Sequence, residues 1–265
     1  LTEAVIFFIL LGILAGLLAG LLGIGGGIII VPGVSFILTF TGITDHKTMH
    51  IAAATSLCVM IFTTSSSTIA YYRLGNIIWP IFKRMVPGII AGVALGVVTA
   101  HFLHSSFLSV IFGIYLVFVS IKTLFGLGSK KGKAKRKLPP NKILLPLAGL
   151  FGLISGMLGV GCGATCSPFL LYMNIEMKKV AGTVGTMSLP LSIAGTVSAM
   201  LMGSGSIDLP HTFGYMYWPA FLCLAPSTVA LAPLGAKLSD KAPAKKLKKA
   251  FALLLLALAI KMLWI

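Results

Sequence analysis

Two short runs of this chain hold residue types that could do chemistry. "GLLGIGGGIIIVP" (Gly20–Pro32) returns without gaps as "GMLGVGCGATCSP" (Gly156–Pro168), at an offset of 136. Both place glycines and an early proline inside apolar sequence. Glycine loses the most entropy on ordering and proline forfeits a backbone hydrogen bond. In lipid no water replaces the lost partner. The adjacent Gly25, Gly26 and Gly27, echoed by Gly161, Cys162 and Gly163, predict helix interruptions rather than a packing stripe alone. A helix that restarts after a break presents free amides at the positive end of its dipole, an anion site built from backbone. The hydroxyls of Thr55, Ser56, Thr183, Thr186 and Ser188 would add donors.

Other chemistries are poorly provided for. All five acidic residues (Glu3, Asp45, Glu176, Asp208, Asp240) fall near segment ends or in loops, so no carboxylate is placed at depth to bind a cation or relay protons. His46, His50, His101, His104 and His211 read as solvated histidines near the outer face. Cys58, Cys162, Cys166 and Cys223 lie in apolar stretches and read as small structural hydrophobes. No paired-carboxylate site, histidine-rich metal site or nucleophile–base pair stands out. An enzyme is therefore not expected, and no cofactor or metal is called for. In "TTSSST" (Thr63–Thr68) most hydroxyls are expected to bond back to the preceding turn. Pro190 is expected to kink its helix.

The elements that must position these residues are membrane helices. The chain is 57% apolar and 10% charged, with a mean hydropathy of +1.04. Its apolar runs are long and continuous rather than alternating, which favours α-helices over a β-barrel. The net charge of +16 sits at the ends of apolar segments and in two loops without interleaved aromatics. That pattern describes anchors facing anionic lipid, not a nucleic-acid surface. Residues 1–22 lack a basic leader and a cleavage site and read as a retained span.

Self-similarity sets the architecture. "WPIFKRMVPGIIAGVALG" (Trp79–Gly96) matches "WPAFLCLAPSTVALAPLG" (Trp218–Gly235) at an offset of 139, and "AAATS" (Ala52–Ser56) is set against "TVGTM" (Thr183–Met187). The second copy thus loses about five residues and regains them in an insertion near 208–216. Two transmembrane repeats, 1–128 and 143–265, are joined by a basic linker, 129–142, carrying seven Lys/Arg. The linker and the basic loop 237–249 are expected in the cytoplasm, yet the repeat partner of that loop, Thr99–Phe107, has no Lys or Arg. An inverted pair of five segments each accounts for the difference. It leaves only Lys47 and Lys261 of the 21 Lys and Arg outside. The expected segments are 3–22, 27–41, 51–72, 86–102 and 107–127, then 143–158, 163–175, 180–202, 217–236 and 247–264. The fold class is thus an all-α integral membrane protein of 8–10 transmembrane helices in two inverted repeats, the second helix of each being short or broken. The two chain ends are expected on opposite sides of the membrane. Trp79, Trp218, Trp264 and the tyrosines at 71–72 and 215–217 are expected at interfaces, and Lys122 and Lys261 are expected to snorkel.

With "AAATSL" and "GNIIW" (Gly75–Trp79), the paired glycine motifs resemble the sulfite exporter TauE/SafE family, also called the 4-toluene sulfonate uptake permease family. The resemblance covers nearly the whole chain. It implies a multi-pass transporter of a prokaryotic inner membrane whose partners are the lipid bilayer and a small sulfur oxyanion or organosulfonate. Protons are a candidate coupling ion. Cys162, Ala164 and Cys166 depart from a plain glycine run. The other readings are a passive anion channel and a non-transporting membrane scaffold or assembly factor. Substrate, direction and oligomeric state stay open.

Overall fold

The computed structural model describes residues 2–42, 47–124, 138–205, 211–241 and 244–264. Most of the basic linker lies outside the described residues, as do Asp45, His46 and Asp208. The side chains of Lys122 and of 239–251, within the second basic loop, lie outside them too. The described residues form ten helices: α1 (Thr2–Leu22), α2 (Gly27–Phe40), α3 (Thr48–Arg73), α4 (Trp79–His101), α5 (Ser105–Leu124), α6 (Asn141–Leu158), α7 (Cys162–Tyr172), α8 (Met177–Gly203), α9 (Trp218–Lys241) and α10 (Ala244–Leu263). A hairpin, β1 (Thr212–Phe213) and β2 (Met216–Tyr217), fills the insertion before α9. This is an all-α membrane protein, with ten helices where ten segments were expected.

Among the described residues six helices are long and apolar enough to cross a membrane: α1, α3, α4, α6, α8 and α9. Helices α5 and α10 contribute shorter apolar stretches, Ser105–Ile121 and Ala252–Leu263. Helices α2 and α7 have 14 and 11 residues. At 1.5 Å per residue they reach only about 21 and 17 Å of a hydrocarbon core of about 30 Å. Helix α4 begins seven residues before the expected start, because Pro80 at its first turn fits a helix beginning, where the missing N–H would be unpaired anyway. Helix α8 runs on through Pro190.

Small residues set the packing. Gly12, Gly16 and Gly20 bring α1 against Ser227, Thr228 and Ala232 of α9, in parallel. Gly88, Gly92 and Gly96 bring α4 against Leu145, Gly149 and Leu153 of α6, also in parallel. A Cβ on Gly92 would lie 2.0 Å from the Gly149 carbonyl oxygen, so these backbones touch. Such approach substitutes van der Waals contact for the hydrophobic drive that lipid removes. Helices α3 and α8 run antiparallel, with Leu57 on Gly195 and Tyr71 on Gly185. So do α5 and α10, where Gly113 meets Leu263 and Ser120 donates to the Ala252 carbonyl at 2.7 Å. Helix α3 is mostly buried, whereas α1, α5 and α10 turn Ile6, Leu10, Ile114, Phe118, Leu253 and Ile260 outward, as lipid-facing helices do.

Trp79 and Trp218 are partly exposed and Trp264 largely so. Two of the tyrosines are buried within the protein. Tyr71 donates to the Gly20 carbonyl, and Tyr215 lies in the turn of the hairpin. A phenol that finds a partner can be buried at little cost. His50, expected to be solvated, is also buried, its Nε2–H donating to the Ala100 carbonyl at 2.8 Å.

Candidate functional site: the paired helix breaks

The first break occupies Gly23–Gly26. Gly23, Gly25 and Gly26 have φ of +67°, +78° and +84°, a region closed to most side chains. Gly26 caps α2: the amides of Ile29 and Ile30 both turn back to its carbonyl at 3.0 and 3.1 Å. The amides of Gly27 and Ile28 precede that first bond and have no acceptor within the helix. In the second break Gly159, the counterpart of Gly23, has φ +68°. Gly161, the counterpart of Gly25, is extended at φ −78°, and α7 begins one position earlier, at Cys162. The cysteine therefore stands where the first half needs a left-handed glycine. The departure in sequence is a departure in backbone.

The breaks are packed against each other. A Cβ on Gly27 would lie 2.6 Å from the Gly159 carbonyl oxygen, and one on Gly163 would lie 2.2 Å from Ile24 Cα. On Gly161 it would lie 2.4 Å from the Ile24 carbonyl oxygen, and on Gly25 3.6 Å from Gly161 Cα. The glycines thus serve both as interruptions and as a backbone-to-backbone contact. A polyatomic anion has no room between them until they part.

The hydroxyls divide into two groups. Ser56 and Ser188 are at the breaks: Ser56 Oγ donates to the Gly159 carbonyl at 2.9 Å, and Ser188 Oγ accepts from the Cys162 amide at 3.0 Å while donating to Val184. Thr55 and Thr183 instead hold loops. Thr55 Oγ1 accepts from the Tyr217 amide at 3.0 Å, just before α9. Thr183 Oγ1 accepts from the Ile78 amide at 3.0 Å, just before α4. Thr186 donates to the Gly182 carbonyl at 2.9 Å. Because Ser56, Thr183, Thr186 and Ser188 already donate their protons, backbone amides are the free donors of the junction.

The threonine contacts correct the repeat register. Ile78 and Tyr217 are counterparts at the offset of 139, so Thr55 corresponds to Thr183 at 128, not to Thr186. Ala53 against Gly159 and Ala181 against Gly23 give the same 128. The second copy is eight residues shorter here than at the glycine runs.

Met60 also lies at the junction, and no sequence signal marks it. Its Sδ lies 2.8 Å from where a Cβ on Gly27 would be, and its Cε lies near both Gly25 and Gly161. In "TTSSST", Thr63, Thr64 and Ser65 bond back to Val59, Met60 and Ile61, as expected. Thr63 also meets Thr228 at 2.8 Å and Ser66 reaches Val229 on α9. All four cysteines are free thiols, three of them buried.

A family model described as "Sulfite exporter TauE/SafE" matches residues 8–262. The chain belongs to this TauE/SafE family. It is similar to a "Probable membrane transporter protein" of Haemophilus influenzae, 30% identical over 241 residues that cover 91% of this chain and 90% of the relative. A "Probable membrane transporter protein" of Methanocaldococcus jannaschii is 30% identical, covering 85% and 83%. "Probable membrane transporter protein YunE" of Bacillus subtilis is 26% identical, covering 98% and 97%. No solved structure matches. As a TauE/SafE protein the chain is a multi-pass membrane transporter and not an enzyme.

Proposed function

We propose that this TauE/SafE protein is a secondary transporter of small sulfur-containing anions, of the sulfite, sulfonate, sulfoacetate or thiosulfate class. The anion is held by amides at the junction of the two breaks, and two inverted halves alternate access to it. The observation that carries the reading is reciprocal contact between counterparts. Gly27 meets Gly159 while Gly163 meets the Gly23–Ile24 backbone, and Thr55 and Thr183 each bind the other half's loop. Counterpart helices α3 and α8, like α5 and α10, are antiparallel. A two-fold axis in the membrane plane predicts that relation, and an axis along the normal does not. The short α2 and α7 bring two positive helix ends to one junction.

The protein resides in a prokaryotic inner membrane, with 129–142 and 237–249 in the cytoplasm by the positive-inside rule. Ten segments that alternate in direction return the chain to its starting face. The start of α1 and the end of α10 then share a side, in place of the opposite sides expected above.

Purified protein should be screened by thermal unfolding with sulfite, thiosulfate, sulfoacetate and taurine. A ligand at 100 times its Kd stabilises by about 2.7 kcal/mol. No shift with any of the four refutes the substrate class. In proteoliposomes, trans substrate should accelerate uptake; unaccelerated uptake points to a channel instead.

A further inference from the structure

A second polar cluster lies at the N-terminal end of α3, remote in sequence from the glycine runs. The Tyr215 hydroxyl accepts from Lys47 Nζ at 3.0 Å and sits 2.7 Å from His101 Nδ1. The Tyr215 ring stacks on His50, with centroids 5.4 Å apart. His50 is 5% exposed. Its Nε2 faces the Ala100 carbonyl, which can only accept, so Nε2 carries the proton and neutral Nδ1 is a bare lone pair. That Nδ1 is buried and has no hydrogen-bond partner. A buried acceptor left unmatched is costly and calls for an explanation.

His50 and Tyr215 also line a cavity of about 20 Å³, walled by Ala53, Leu57 and Val97, which reaches Gly156 and Met157 on the last turn of α6. The cavity therefore runs from His50 and Tyr215 to the helix turn that leads into the second break. Among the described residues, the titratable or charged groups facing His50 are Lys47 from the start of α3, His101 from α4 and Tyr215 from the hairpin. The carbonyls of Ala100 and Leu103 also face it. No described carboxylate joins the cluster.

We propose that this cavity is an access site for a monovalent oxyanion and that His50 Nδ1 takes up one proton from water as the anion binds. The inference rests on the transport reading above and adds its coupling ion. Protonation turns Nδ1 from an unmatched acceptor into a donor and gives the site a positive charge. Lys47 and His101 both contact the hydroxyl of Tyr215, which lines the cavity. The anion supplies the acceptor and the compensating charge, so the proton and the anion enter as a neutral pair. An apolar wall disfavours either ion alone but tolerates the pair. The cavity holds about one water as it stands. Admitting an anion requires Tyr215, on the hairpin, to move outward.

Methanesulfonate is a suitable probe because it has no titratable group near neutrality. Calorimetric titration at pH 7 in two buffers of different ionisation enthalpy counts the protons taken up. The wild type should take up close to one proton per anion, and its affinity should fall as pH rises, by up to tenfold per pH unit. His50→Asn should show neither effect, while His104→Asn, outside the cluster, should keep both. Proton uptake that persists in His50→Asn overturns the proposal, as does pH-independent binding in the wild type; the second result leaves the transport reading standing. If methanesulfonate, sulfite and sulfoacetate all fail to bind the wild type at any pH, both readings fall. If His50→Asn does not fold, ¹⁵N-histidine NMR of the wild type decides. The His50 Nδ1 resonance should move to its protonated position on adding methanesulfonate, and an unmoved resonance overturns the proposal.

Discussion

Gly26→Ala and Gly163→Ala both add one methyl to a glycine run, yet the structure assigns them different penalties. At Gly26 the new Cβ would find its nearest neighbours 3.4 Å away, an ordinary contact, but φ is +84°. The cost is that of one left-handed alanine, about 1 kcal/mol. At Gly163, in the first turn of α7, the Cβ would lie 2.2 Å from Ile24 Cα and 2.5 Å from the Gly23 carbonyl oxygen. Both are backbone atoms that cannot rotate away, so the breaks must separate. Overpacking costs about 1–3 kcal/mol, and the upper end is expected here. At about 2–4 °C per kcal/mol for chains of this size, Gly26→Ala should lower Tm by about 2–4 °C. Gly163→Ala should lower it by about 6–12 °C. The assay is thermal unfolding in one detergent, followed by size-exclusion of the soluble fraction. If Gly163→Ala is as stable as Gly26→Ala, the breaks do not touch, and the reciprocal contact on which the transport reading stands is gone.

Ser188→Ala leaves the buried Cys162 amide without its acceptor and should cost about 1–3 kcal/mol, read by the same unfolding assay. Thr55→Val and Thr183→Val each remove one bond to a loop, at about 1 kcal/mol apiece. Because they hold different loops, the double variant should be additive within about 0.5 kcal/mol; strong coupling would refute separate clasps. Gly92→Leu should prevent α4 from seating on α6, giving aggregated or unfolded protein by size-exclusion, whereas Gly75→Leu has open space and should lose only the small cost of its φ of +66°. In a cysteine-free background, Ser106→Cys should react with an impermeant maleimide from outside and Lys142→Cys only from inside; labelling from one side would end the inverted arrangement.

The architecture was legible because hydrophobic length and the glycine echo are properties of single segments. All ten helices overlap segments drawn from sequence, and both breaks fall where Gly25–Gly27 and Gly161–Gly163 announced them. What the sequence hid is relational. Thr55 and Thr183 looked like ligand donors, since a hydroxyl near a break can be read that way. Only folding shows that each also accepts from an amide 162 or 105 residues away. The register error in α3 and α8 has the same origin, because small-residue runs align acceptably at several offsets and only contacts choose among them. His50 was placed in water and Tyr215 at a membrane interface by their polarity. Their burial follows from partners on α4 and the hairpin that local sequence does not reveal. Met60 gave no signal because methionine packs anywhere apolar.

The parallel seating of α1 on α9 also bears on how the protein is made. Gly12, Gly16 and Gly20 face a partner more than 200 residues downstream, so α1 leaves the insertion machinery long before α9 exists. Its glycine face meets lipid in the interval, and the native pairing closes one of the longest loops in the chain. Contacts of such sequence separation form late and slowly. Assembly is therefore expected to be post-insertional, and a chain stalled before α9 should be a quality-control substrate. Two halves expressed separately in one cell should find each other and recover the fold, because the contacts that matter are between them.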